Sequence, residues 1–203
     1  MDRLLNTRLI IWIIIVVSIL FIIYGVIVKI NNRSRIQQSI ELTYFPKKNM
    51  TKIFKNATEN ASFTHIVDKI ANGKIQLKQV DLLTRTVLVY DVTGDSIRLV
   101  YTEEVGNDGF EKDYISNLVP NREDTILKSP VEAGTKWMDD DGGQYEIIKT
   151  KALVETNAGD FETVVVRYTN KDFTVKEYYA QDIGLVKIVV NNYGEFLLEQ
   201  ITY

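Results

Sequence analysis

The sequence predicts a mainly β protein: one N-terminal transmembrane helix, then an antiparallel β-meander domain curled into a half-barrel, a barrel or a sandwich. Three observations predict it. Residues 9–28 form a run of twenty without a charge. From Tyr44 onward, apolar and polar residues alternate with the two-residue period of strands. Gly-, Asn- and Asp-containing turn signals separate the alternating runs, and no later stretch carries a long helical period.

The apolar run, LIIWIIIVVSILFIIYGVIV, spans about 30 Å as a helix, the thickness of a bilayer's hydrocarbon core. No face of it is polar, which argues against a buried helix of a soluble domain. It ends in Val28-Lys29-Ile30-Asn31-Asn32-Arg33, with no small-residue cleavage pattern, and so reads as an uncleaved signal anchor. Trp12 and Tyr24 stand near its ends, as interfacial aromatics do. Arg3 and Arg8 nearly balance Lys29, Arg33 and Arg35, so flanking charge does not fix the orientation. A short N-terminal tail usually stays inside. The expected organisation is a cytoplasmic tail at 1–8, a membrane anchor at 9–28, a juxtamembrane tether at 29–43 and an extracytoplasmic β-domain at 44–203.

Within that domain the clearest strands are Ile75–Lys78, Ser96–Tyr101, Thr163–Tyr168, Leu185–Val190 and Glu195–Ile201. Turns are expected at Asn72-Gly73, Thr93-Gly94-Asp95, Asn107-Asp108-Gly109, Asp141-Gly142-Gly143, Asn157–Asp160 and Asn192-Tyr193-Gly194. Residues 113–121 read as one short helix or a loop. A weak repeat places Pro46 and Thr51–Phe54 over Pro130 and Thr135–Met138, and Val89, Asp95 and Tyr101 over Val166, Asp172 and Tyr178. It suggests two similar halves, 44–120 and 127–203, joined by the polar stretch 119–124.

Charge and composition exclude several roles. The whole chain has 24 basic and 27 acidic residues; without the five bases and one acid of the first 35 residues, 19 and 26 remain, a net charge of −7. Such a domain is repelled by nucleic acid. There is no cysteine, so these residues hold no disulfide, Cys-ligated zinc, thiol nucleophile or acylated lipoprotein anchor.

Candidate chemical groups are sparse. His65 is the only histidine and reads as a strand residue between Phe63 and Ile66. Neither G-x-S-x-G nor H-E-x-x-H occurs. Asp139, Asp140 and Asp141, before Gly142-Gly143, are weak Ca²⁺ candidates. They lack the EF-hand spacing and read better as a solvated hairpin turn. No catalytic residue and no cofactor are assigned. The aromatics from Trp137 to Tyr203 fit a sheet core better than a pocket.

Three ordered motifs carry a resemblance. They are Leu127-Lys128-Ser129-Pro130-Val131-x-x-Gly134-Thr135-Lys136-Trp137, then Val154-Glu155-Thr156-x-Ala158-Gly159-Asp160-Phe161, then Tyr178-Tyr179-Ala180-x-x-Ile183-Gly184-Leu185-Val186-Lys187. Together they resemble a β-domain of exported Gram-positive cell-envelope proteins, a family whose members largely lack assigned roles. Asn157 and Ile183 stand where that pattern has proline and valine. The resemblance implies a fold and a compartment, and structural roles for Pro130, Gly134, Trp137, Gly159, Phe161, Tyr178, Tyr179 and Gly184. It implies no catalytic residue.

The expected function is therefore a non-catalytic binding or interaction module, anchored in the cell membrane by one span. Its partner would be an envelope protein, a wall component or a lipid. One alternative is a carrier or sensor of a lipid or other hydrophobic ligand, using a half-barrel pocket. A second is an envelope hydrolase, which needs converging carboxylates in a cleft.

Overall fold

A computed structural model describes residues 22–29, 44–56, 61–191 and 193–203. The chain divides into two compact units, 1–37 and 38–203. In the first, residues 22–29 are helical and all exposed. Among the described residues no helix is long and apolar enough to cross a membrane. Most of the expected anchor, 9–21, lies outside the described residues, as do the tail 1–8 and the tether residues 30–43.

The second unit is one antiparallel sheet of twelve strands. These are β1 (Met50–Asn56), β2 (Ser62–Ala71), β3 (Lys74–Val80), β4 (Arg85–Val92), β5 (Ser96–Glu104), β6 (Asp124–Lys128), β7 (Lys136–Met138), β8 (Gln144–Thr156), β9 (Gly159–Thr169), β10 (Thr174–Ala180), β11 (Gly184–Val190) and β12 (Gly194–Thr202). The one helix described in this unit is the single turn α1 (Asn107–Phe110), where the sequence suggests a turn. Residues 113–121 carry no helix.

The sheet order is β6-β5-β4-β3-β2-β1-β12-β11-β10-β9-β8-β7. The chain thus forms two six-stranded meanders, and its first and last strands pair at the centre. Thr51 faces Thr202 across that join. The edge strands β6 and β7 are sequence neighbours, linked by residues 129–135. The crossing between meanders therefore comes after β6, whereas 119–124 leads into β6 and pairs it with β5.

This order also sorts the two parts of the repeat. Thr51–Phe54 and Thr135–Met138 fall at β1 and β7, the first strand of each meander. Val89 and Tyr101 lie on β4 and β5, but Val166 and Tyr178 lie on β9 and β10, the third and fourth strands of theirs. That second alignment is one strand out of step. Two neighbouring strands around an Asp-containing turn look alike in any meander.

A round barrel of twelve strands would enclose a channel. Here the interior is filled, because the sheet doubles over. One cluster contains Met50, Val67, Leu77, Ile97 and Leu127 from the first meander with Trp137, Ile147, Val166 and Tyr179 from the second. Bulges supply the bend: the register slips between Ile53 and Phe54, between Val67 and Lys69, and twice along the thirteen-residue β8. On the outer face, Val89, Val100 and Ile115 form a satellite cluster under the 105–123 excursion. Gln76 fastens this cover, donating to the Lys112 carbonyl at 3.0 Å and accepting from the Tyr114 N–H at 2.7 Å.

The connections fall into two groups. At the entry end, where Tyr44–Asn49 lead into β1, lie 72–73, 93–95, 129–135 and 181–183, whereas the 157–158 tip of the long β8–β9 hairpin folds back over β12, Asn157 donating to Glu199 at 2.8 Å. At the far end lie 81–84, 105–123, 139–143 and 170–173, with Ala61 before β2 and Tyr193 before β12.

Candidate functional site

Strand alternation on β1 buries Met50, Lys52, Phe54 and Asn56 on one face. A lysine thus sits in the core row, with 1% of its surface exposed. Its ammonium donates to the carbonyls of Ile183 and Leu185, at 3.0 and 2.9 Å. Those residues flank Gly184, whose φ of +76° suits glycine. A Cβ on Gly184 would stand 2.9 Å from Cδ of the buried Pro46. Lys52 therefore ties β1 to the start of β11, beside the point where the chain enters the sheet.

Lys52 also lines a cavity of about 140 Å³ between the meanders. The other polar groups there are His65, Gln79, Tyr90, Glu177 and Tyr179, and Leu77, Leu88, Ile126 and Leu185 supply apolar wall. His65 Nε2 lies 3.0 Å from Gln79 Oε1. An amide oxygen only accepts, so this contact places the proton on Nε2 and leaves Nδ1 a lone-pair acceptor. Nδ1 is buried with no partner among the described residues. The Tyr179 hydroxyl donates to Glu177 Oε2 at 2.6 Å.

Burial dominates the electrostatics. It pushes the Lys52 ammonium down to about 7. The two carbonyl acceptors work the other way, favouring the charged form. Burial, then the nearby Lys52 charge, pushes His65 down to about 3 against the pull of Gln79, so the imidazole is neutral at pH 7. Burial raises Glu177, with the Tyr179 hydroxyl opposing, and it raises Tyr179 well above a normal phenol. At its share of about 30 Å³ per molecule in the liquid, the cavity matches a few waters. It is well below the roughly 300–1,000 Å³ of pockets that enclose drug-sized ligands.

The Asp139–Asp141 stretch does different work. Asp139 Oδ1 accepts the Gly143 N–H at 2.6 Å and its carbonyl accepts the Gly142 N–H at 3.3 Å, which closes the β7–β8 hairpin. Asp140 and Asp141 are exposed. Among the described residues no three His, Cys, Asp or Glu side chains converge to hold a metal.

The motif residues are dispersed over the second meander. Trp137 is buried, stacks on Tyr145 at 5.3 Å, and donates from Nε1 to the Thr125 carbonyl of β6 at 2.8 Å. Pro130 and Gly134 lie in the 129–135 connection, Gly134 at φ +94°. Gly159 opens β9 at φ +130°, and Phe161 packs on a cluster of Phe54, Ala180, Val186 and Leu198. Tyr178 packs beside that same cluster, and Lys187 stands over its ring at 5.6 Å. Tyr179 and Gly184 alone of these reach the cavity region, through Glu177 and Lys52.

Sequence reasoning did not single out Lys52 or Glu177. A lysine between Thr51 and Ile53 reads as a surface residue, because both phases of β1 contain an apolar side chain. The signal was the row Met50, Lys52, Phe54 and Asn56, each two residues from the next, which sets the buried phase only once Phe54 is known to be inside.

No family model matches the chain, and no curated protein matches it. Two solved structures are similar to this chain, and the first shares its fold in outline. One, assigned as a lipoprotein of Parabacteroides distasonis, is 17% identical with a TM-score of 0.51, over 79% of this chain and 98% of that one. The other, assigned as an exported protein with a YmcC-like fold from Bacteroides fragilis, is 15% identical with a TM-score of 0.46, over 79% and 99%.

Proposed function

We propose that this chain is a single-pass, membrane-anchored module whose β-domain lies outside the cell membrane and acts by binding a partner at its surface, without catalysis. The observation that carries this reading is the interior. Among the described residues, the cavity between the meanders measures about 140 Å³, and the one lysine there is engaged by protein carbonyls. A lipid carrier needs a larger apolar space. A hydrolase needs converging acids, and Glu177 is the one carboxylate lining the cavity. The anchor rests on the uncharged run 9–28 and on Ile22, Ile23, Tyr24, Val26 and Ile27, which are about half or more exposed on their helix. The envelope family resembled by the three motifs supports the same compartment.

The absence of native cysteine makes the topology directly measurable. Arg3→Cys and Lys171→Cys variants in intact cells are treated with a membrane-impermeant maleimide. Lys171→Cys is labelled at once and Arg3→Cys only after permeabilisation. The reverse pattern, or release of the chain by a salt wash, contradicts the reading.

A further inference from the structure

We infer that the far end of the sheet is the docking face of this module, and that it takes a cationic amphipathic segment of another protein; this rests on the interaction reading above. The two ends of the sheet differ in a way turn chemistry does not require. Entry-end connections expose little apolar surface: Asn72-Gly73 and Thr93-Gly94-Asp95 are polar, and Val131 of the 129–135 connection is buried. Far-end tips carry Leu82, Leu83, Phe173 and Tyr193, and Met138 closes the adjoining strand. Their exposures are 85%, 93%, 41%, 70% and 67%. Turns favour Gly, Asn and Asp, so these apolar residues are not there to make the bend.

The bends are made by their neighbours. Asp81 Oδ1 accepts the N–H groups of Leu83 and Thr84 at 2.9 and 2.8 Å, and Oδ2 accepts the Thr84 hydroxyl at 2.8 Å. Asn170 Oδ1 likewise accepts the N–H groups of Asp172 and Phe173, both at 2.9 Å. Each tip is a capped turn that holds a large apolar side chain outward. Behind the two leucines an apolar groove runs to Phe63 and Phe196. Preformed turns of this kind lose little freedom on binding.

Charge selects the occupant. The same connections carry Asp81, Asp139, Asp140, Asp141 and Asp172 against Lys171. Asp81 is held below the usual carboxylate range by the N–H groups it accepts, first that of Leu83. An anionic membrane surface would be repelled by this rim. A segment with leucine-like side chains on one face and lysine or arginine on the other meets both features: apolar anchors at the centre and complementary charge around them.

The test uses the full chain in nanodiscs of neutral lipid and three probes: an amphipathic Leu/Lys peptide, its Leu/Glu counterpart, and phosphatidylglycerol vesicles. The Leu/Lys peptide binds, salt weakens it, and Leu82→Ser/Leu83→Ser weakens it at least about tenfold. Leu153→Ser, an exposed leucine on β8 opposite Glu162, leaves it unchanged. Equal binding to all three proteins, or preference for the vesicles or the Leu/Glu peptide, overturns the inference. Photo-crosslinking in cells separates this from the parent reading. Protein adducts from position 72 but not 83 keep the interaction module and reject this face, and adducts from neither position reject both.

Discussion

The Trp137 indole N–H donates to the Thr125 carbonyl at 2.8 Å and thereby bridges the two edge strands, β7 and β6, which share no ladder. The sheet's ends are joined by this bond, by the 129–135 connection and by the core that Trp137 and Leu127 share. Removing the donor while keeping the ring isolates the bond. Trp137→Phe is expected to cost about 1–2 kcal/mol, since it leaves a carbonyl without this donor. Trp137→Ala adds a cavity and should cost about 3–5 kcal/mol. Urea midpoints of the full chain in detergent measure both, and a Trp137→Phe cost near zero would mean the bond contributes nothing.

Gly184 is held at φ +76° against Pro46. Gly184→Ala combines an unfavourable backbone with a 2.9 Å contact and should cost about 2–4 kcal/mol. Gly134→Ala has the backbone cost but no atom within 4 Å of the new Cβ, so about 1 kcal/mol is expected. The difference between the two midpoints reads the contact with Pro46.

His65 makes stability fall with acid. Its folded value near 3 lies below its ordinary 6.5, so the unfolded chain binds the extra proton between those values. Stability is full above pH 6.5 and is lost as pH falls toward 3. Glu177, raised by burial, acts in the opposite sense, gaining stability as pH falls. Comparing wild type with His65→Gln cancels that contribution. The wild type should lose about 1–2 kcal/mol more than the variant between pH 6.5 and 5, above the range of the surface carboxylates. Parallel pH curves would contradict a buried neutral imidazole.

Lys52 gives the alkaline counterpart. Its folded value of about 7 lies below its ordinary 10.5, so the unfolded chain again holds the extra proton. Its contribution is complete above 10.5 and is lost as pH falls toward 7. Between pH 7 and 9, below the tyrosine range, wild-type stability should rise, and Lys52→Met should abolish the rise. A flat wild-type curve would mean the Ile183 and Leu185 carbonyls hold the ammonium fully charged.

Much of the domain was legible in the sequence, because strand period and turn chemistry are local. Ile75–Lys78, Ser96–Tyr101 and Glu195–Ile201 fall inside β3, β5 and β12, and Asn72-Gly73 joins β2 to β3. Pairing between distant strands was not legible. Nothing in Thr51 or Thr202 announces that the first and last strands meet, and that join decides which faces become the interior. For the same reason Lys52 looked superficial and Glu177 unremarkable. The burial of Lys52 and the half-burial of Glu177 follow from β1 and β10 facing inward across the doubled sheet. Leu82 and Leu83 were visible, but their sharing of one end with Phe173 and Tyr193 is a property of strand direction.

The central claim is that binding takes place on the surface of a filled domain. Native mass spectrometry of the full chain, released gently from its membrane, tests it most directly. The predicted result is the bare protein mass in the β-domain's folded charge states, with water as the only guest of the cavity. A reproducible increment of a few hundred daltons, lost on denaturation and abolished by filling the cavity with Leu77→Phe, would contradict it and make the interior a ligand site.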